Sequence, residues 1–236
     1  SSFLITEINQ QKLNDLAKLD FFYTHLNKDP AEMVNLGAKK INLKDQEIIK
    51  RILEKYDMAF SLHCKQIFPA KLVNNLRCIN FHPGFNPFNR GWYPQVFSIL
   101  NKLPTGATIH FMDEEIDNGE IIDQKEISVD FSDTSLELYE KIITCEKELI
   151  RRNLSNIIRG KLSTKPPVNK GNYNDISDFN SLCELNLKNL DTLENHINML
   201  KALTHGDFNN AYVIHKNKKY FLKLSIEEDR NFLKKE

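Results

Sequence analysis

Residues 45–62, DQEIIKRILEKYDMAFSL, hold a helix and a strand end to end. Ile48, Ile49, Ile52, Leu53 and Tyr56 recur at helical spacing behind Asp45, a side chain able to cap the free N–H groups of the first turn. Met58 to Leu62 follows at once, a short apolar run suited to a buried parallel strand. Outward from there the pattern repeats. Pro69 opens a turn of helix, Arg77 to Phe81 reads as a second strand, Trp92 to Leu103 as a helix and Thr108 to Met112 as a strand, with Gly106 marking the turn between them. Glu120 to Val129 is a further strand. Thr134 then opens a long amphipathic stretch whose apolar side carries Leu136, Tyr139, Ile142, Leu149, Leu154 and Ile157, and Gly160 closes it. Such alternation builds an α/β domain, a Rossmann-like, mainly parallel sheet with helices on both faces.

Upstream, Ser1 to Lys44 offers a strand candidate at Phe3-Leu4-Ile5 and a crossover through Phe21-Phe22-Tyr23. Downstream, Lys161 to Asp175 contains Pro166-Pro167 and Gly171 and has the composition of a linker or extended surface loop. A boundary there divides the chain into a catalytic domain, 1–160, and a small C-terminal region, 161–236. In that region Asp178 to Asn186 and Thr192 to Leu203 read as helices, and Ala211 to His215 with Tyr220 to Ile226 as a hairpin turning near Asn217. An appendage this small buries little alone, so packing against a second subunit, as a homodimer, is the expectation.

Of 236 residues, 32 are Lys or Arg and 32 Asp or Glu, a balance that provides no broad positive field and argues against a tRNA or DNA binder. No apolar run approaches the roughly 18 residues that a membrane span needs, and no secretory signal is visible. Cys64, Cys78, Cys145 and Cys183 lack the close pairing of a zinc site or disulfide scaffold. A cytoplasmic protein with reduced thiols and no metal is the reading.

Chemistry concentrates in residues 79–95, INFHPGFNPFNRGWYPQ, directly after a strand. Loops leaving the carboxyl ends of strands form the ligand crevice of open α/β sheets. Asn80 and His82 stand two apart, so an extended chain points an amide and an imidazole to one face. In residues 105–122 a strand runs into the acidic loop from Asp113 to Asp117, closed by the turn pair Asn118-Gly119.

These two stretches together resemble the catalytic core of the formyltetrahydrofolate-dependent formyltransferases, in which Asn-x-His-Pro precedes an Asp in a turn; the three members here are Asn80, His82 and Asp117. The run Asn-Pro-Phe-Asn-Arg-Gly-Trp-Tyr-Pro-Gln is similar to the branch that formylates dTDP-linked amino sugars. The resemblance implies formyl transfer from N10-formyltetrahydrofolate to the amine of such a sugar, dTDP-4-amino-4,6-dideoxyglucose first and a 3-amino-3,6-dideoxy isomer second. It implies catalytic roles for Asn80, His82 and Asp117, and folate contacts near Gln66, Ile67 and Asp113. His110, mid-strand, reads equally as a core histidine and as a neighbour of the folate. The remaining assignments are Lys65 for the diphosphate and Asn86, Asn89, Arg90, Trp92, Tyr93 and Gln95 for the sugar nucleotide, the aromatic faces suiting thymine. Cys64 has no part, since direct amine attack needs no nucleophilic thiol. His25, His196, His205 and His215 read as surface or structural. A methionyl-tRNA acceptor would call for a longer basic tail than this one, and water as acceptor would make the protein a hydrolase.

Overall fold

The computed structural model describes residues 2–229 and 232. The chain opens with helix α1 (Ser2–Gln10), strand β1 (Phe22–Thr24), helix α2 (Ala31–Asn35) and strand β2 (Lys39–Ile41), with β1 and β2 paired in parallel as a small sheet of their own. α1 corrects the strand expected at Phe3-Leu4-Ile5. A three-residue apolar run fits either element, and the pair that decides is Leu4 and Ile8, four apart and both buried in the main core. Glu7 on the same helix is buried too, held by Arg151 at 3.0 Å.

Next come α3 (Gln46–Lys55), β3 (Met58–Leu62), α4 (Ala70–Val73) and β4 (Arg77–His82). Asp45 caps α3 as expected, its carboxylate accepting from the Glu47 and Ile48 amides, an arrangement worth about 1 kcal/mol. β3 and β4 pair in parallel. The two-residue β5 (Arg90–Gly91) and helix α5 (Pro94–Asn101) lead to β6 (Thr105–Phe111), which runs antiparallel both to β4 and to β7 (Ile121–Ile127). The central order is β3-β4-β6-β7. Gly106 lies inside β6 and not in the turn before it. A Cβ there would stand 2.0 Å from the Lys125 carbonyl oxygen, so the glycine permits close approach of β7. Lys102, with φ +57°, makes the turn instead.

Helix α6 (Ser135–Ile158) starts in a capping box between Thr134 and Glu137. Its Leu149, Ile150 and Leu154 pack over Ile79, Phe81 and Ile109 of the sheet. On the opposite face Ile49 and Leu72, from α3 and α4, meet Cys78. Helices thus cover both faces of an α/β sheet, as the alternating pattern predicts.

Beyond Gly160, in the segment with linker composition, Lys165 exchanges two backbone hydrogen bonds with Ile121, and β8 (Tyr173–Asn174) pairs in parallel with β5. Helices α7 (Ile176–Cys183) and α8 (Leu193–Leu203) follow, then the hairpin β9 (Tyr212–His215) and β10 (Lys218–Phe221). The hairpin turns through Lys216 and Asn217, both at positive φ, which lets β10 begin before the expected Tyr220. Phe179 and Leu203 share a core with Val96, Ile99, Leu138 and Ile142. The C-terminal region therefore packs on α5 and α6 of its own chain. Among the described residues no helix is long and apolar enough to cross a membrane.

Candidate active site

Alternation along β4 sends Ile79 and Phe81 into the core and turns Asn80 and His82 to the other face, as their spacing predicts. The antiparallel register sets His110 opposite Asn80. Asp117, from the loop between β6 and β7, meets all three. Asn80 Nδ2 donates to Asp117 Oδ1 at 2.9 Å and lies 3.3 Å from His110 Nε2. His82 Nδ1 stands 3.6 Å from Asp117 Oδ2. His110 Nδ1 is 2.7 Å from the Phe111 carbonyl oxygen, a contact that puts the ring proton on Nδ1 and leaves Nε2 to accept from Asn80. His82 Nε2 is buried and makes no hydrogen bond among the described residues.

Asp117 sits in the left-handed region at φ +52°, which costs a residue with a Cβ about 1–2 kcal/mol. Its partners hold it there. The Gly91 amide donates to Oδ2 at 3.1 Å, Asn86 Nδ2 donates to the Asp117 carbonyl at 2.8 Å, and Arg90 Nη1 donates to the preceding carbonyl of Ile116 at 2.9 Å. Hydrogen bonds to a charged group contribute roughly 1.5–3 kcal/mol each, enough to offset the backbone cost. Burial opposes the charge on Asp117, but the facing imidazole of His82 and the Gly91 amide outweigh it and hold the carboxyl well below the usual carboxylate range. For His82 burial dominates and pushes the imidazole down to about 4, against the pull of Asp117. The pair at neutral pH is a carboxylate beside a neutral imidazole whose Nδ1 carries the proton.

This arrangement revises three expected substrate contacts. Asn86, Asn89 and Arg90 are 1 %, 0 % and 6 % exposed, and protein groups occupy them. Asn89 bonds Ser98, Asn101 and Asn172, while Arg90 bridges the Ile116 and Lys170 carbonyls. An irregular loop buried this deeply must satisfy most of its own polar groups, and its amides and guanidinium do so except at Asn86 Oδ1 and Arg90 Nε, which are buried without a hydrogen-bond partner among the described residues. Sequence alone cannot separate such a brace from a ligand contact, because both call for the same side chains.

A cavity of about 670 Å³ opens over the Asn80, His82 and Asp117 cluster. Lys65, Ile67, Trp92, Tyr93 and Asp113 line it. Gln66 also reaches it, although its side chain is engaged with the Leu43 amide and Asn42, so it shapes the loop. Gln95 lines it beside Ser135, to which its amide donates at 3.3 Å. His110 is buried, lines the cavity and lies 3.5 Å from Asp117 through Nε2. Burial raises the Cys64 thiol pKa, a poor state for a nucleophile. Residues without a local signal are here as well: His63, paired with the buried carboxylate of Glu146 at 2.9 Å, and Tyr139, Phe179 and His205. His205, read from sequence as surface or structural, is a wall of the cavity.

Gly84 is set by the imidazole. A Cβ at this position would lie 2.3 Å from His82 Nε2, so Gly84→Ala must displace the ring. Because a misplacement near 1 Å can cost about 100-fold in rate, Gly84→Ala is expected to lower kcat between about 10- and 100-fold while the circular dichroism spectrum stays unchanged. Wild-type kcat in the folded variant would contradict the geometry.

Residues 14–154 match the family model described as formyl transferase, and residues 178–228 match the N-formyltransferase dimerization C-terminal domain. The dTDP-4-amino-4,6-dideoxyglucose formyltransferase of Mycobacterium tuberculosis is 41 % identical over 185 residues, 78 % of this chain and 79 % of the relative. A sugar N-formyltransferase from Shewanella sp. superposes with a TM-score of 0.92 at 47 % identity, over 96 % of this chain and 93 % of that one. A 4-N formyltransferase from Francisella tularensis gives a TM-score of 0.86 at 40 % identity, over 95 % and 94 %. With its Asn80, His82 and Asp117 cluster assembled on the sheet that these relatives share, the chain belongs to the formyl transferase family and is an enzyme that transfers formyl groups.

Proposed function

We propose that the protein moves the formyl group of N10-formyltetrahydrofolate onto the amine of a dTDP-linked amino sugar, with dTDP-4-amino-4,6-dideoxyglucose as the acceptor. The observation that carries this reading is the convergence of Asn80, His82 and Asp117 on one cavity, supported by the acceptor named for the 41 % identical relative. The sugar amine attacks the formyl carbon, and a new C–N bond forms while the carbonyl electron pair moves onto oxygen. Asn80 and His82 border that oxygen, the amide as a neutral hydrogen-bond donor once the ligands reorganise its contacts. His82, neutral before attack, takes the proton that the attacking nitrogen releases, and Asp117 steadies the imidazolium so formed. The bond from the formyl carbon to N10 then breaks, and the proton passes to N10 of the departing tetrahydrofolate.

Gln66 and Ile67 with Asp113 hold the folate side, His110 backs the carboxylate, and Lys65 faces the diphosphate; all of them line the cavity. Trp92, Tyr93 and Gln95 hold the sugar nucleotide. The functional division falls near residue 160, between a catalytic part and a C-terminal part that joins two copies of the chain, and the exposed Leu190, Leu193, Ile214 and Phe221 suit such a contact. The setting is the cytoplasm, where folates and sugar nucleotides meet. Incubation with N10-formyltetrahydrofolate and a panel of dTDP-amino sugars, read by product mass, tests the proposal. A gain of one formyl group on the 4-amino sugar is expected, and no gain on any member would refute it.

A further inference from the structure

We infer that Glu146, which lies outside the Asn80, His82 and Asp117 cluster, is a positioning residue: by holding His63 it sets the loop of residues 63–67, and with that loop the affinity of the enzyme for its substrates. The inference rests on the folate and diphosphate roles proposed above for Gln66, Ile67 and Lys65, and goes beyond them by naming what keeps these residues in place. The loop leaves the carboxyl end of β3 through His63, whose backbone is left-handed at φ +54°. Such a conformation persists where the surroundings impose it. Residues 64–67 make no backbone–backbone hydrogen bond among the described residues, and Ile67 is 69 % exposed. No backbone ladder fixes this stretch, so side chains must.

Two tethers do so. At the far end the buried Gln66 side chain accepts from the Leu43 amide at 3.1 Å and donates to Asn42 Oδ1 at 2.7 Å. At the near end His63 Nε2 lies 2.9 and 3.0 Å from the two carboxylate oxygens of Glu146. A carboxylate only accepts, so the imidazole donates from Nε2 to both. The Glu146 side chain is 7 % exposed, and among the described residues His63 is its one hydrogen-bond partner. A buried carboxylate with a single donor keeps that donor close, because losing it would leave the charge unpaired away from water. Glu146 is itself firmly placed. It stands on α6 one turn before Leu149 and Ile150, both fixed in the main core. The pair makes no hydrogen bond to Asn80, His82 or Asp117, so it acts on where ligands sit and not on proton transfer.

Glu146→Ala tests the assignment in the full chain. Hydrogen exchange, read by mass spectrometry, should quicken in residues 63–67 and stay unchanged in β4 and α6. Binding of tetrahydrofolate, measured by calorimetry, should weaken by at least about tenfold, with KM for N10-formyltetrahydrofolate rising by a similar factor and kcat falling far less. Glu146→Gln keeps an oxygen for the Nε2 proton and should recover most of the affinity. His63→Ala removes the same tether from a side chain that is 37 % exposed, so it keeps the test open should Glu146→Ala fail to fold. It should reproduce the loss, and the double variant should add little to it, because the two side chains act as one tether. Unaltered exchange in the loop would overturn the inference, as would quickened exchange with unaltered tetrahydrofolate affinity, which would also remove the folate roles of Gln66 and Ile67. Wild-type protein that binds tetrahydrofolate but formylates no dTDP-amino sugar would sink the acceptor proposal instead, and the exchange and calorimetric comparisons would still decide the role of Glu146.

Discussion

His82→Asn is expected to lower kcat by roughly 100- to 10,000-fold, the range by which a positioned acid–base group accelerates proton transfer. The buried imidazole is the group beside Asp117 with a lone pair to spare, because Nδ1 faces the carboxylate and Nε2 is unpartnered. Asparagine keeps comparable bulk and a donor toward Asp117 but cannot take the proton. Binding of the dTDP-sugar should stay measurable by calorimetry; turnover at the wild-type rate would remove His82 from the mechanism. The same substitution has a stability signature. Burial lowers the His82 pKa from 6.5 to about 4, so between those values the unfolded chain binds a proton that the folded chain does not. The stability conferred by the neutral ring is complete above the unfolded pKa and is lost as pH falls through the folded one, a change of about 3 kcal/mol. Thermal melts at pH 7 and pH 4.5 should therefore converge more in His82→Asn than in the wild type.

The second large effect belongs to Asp117→Asn, which should lower kcat by roughly 1,000- to 10,000-fold, as removing the carboxylate behind a catalytic imidazole does elsewhere. The replacement has nearly the same shape, so the Asn86 bond to the backbone carbonyl at 2.8 Å should survive and the loop should keep its place. What disappears is the charge that selects the Nδ1–H tautomer of His82 and stabilises the imidazolium. An Asp117→Asn, His82→Asn double variant should be hardly slower than the poorer single variant, because the two residues act as a unit. Additive losses would mean separate roles, and rapid single-turnover measurements would reveal them.

The reaction class was legible because its signal is short-range. Asn80 and His82 share a strand, and a period of two fixes their common face whatever the rest of the chain does. Asp117 was legible as part of a pattern, but not its left-handed backbone, which three donors from residues 86–91 impose. The same limit explains Asn86, Asn89 and Arg90. Their partners lie as far away as Lys170 and Asn172, and no local spacing reports a contact across that separation. His205 and His63 entered the cavity from distant positions for the same reason. Among secondary elements, periodicity sufficed for α3 and α6, with their capping side chains, and fell short for α1, where the run at Phe3 to Ile5 was too short to choose a period. Gly106 was a misread breaker: a glycine demanded by strand packing looks like one demanded by a turn.

The short pairing of β5 with β8 has a consequence for how the enzyme comes into being. Asn172 and Asn174 carbonyls receive the Arg90 and Trp92 amides, and Gly171 fits against Pro87 with no room for a Cβ. During synthesis the chain emerges amino end first, so the loop that carries Gly91 to the Asp117 carboxylate waits for partners that the ribosome adds many residues later. A chain ending near residue 160 holds Asn80, His82 and Asp117 but lacks the strand that sets their brace, so the brace is complete only once residues 172–174 are in place.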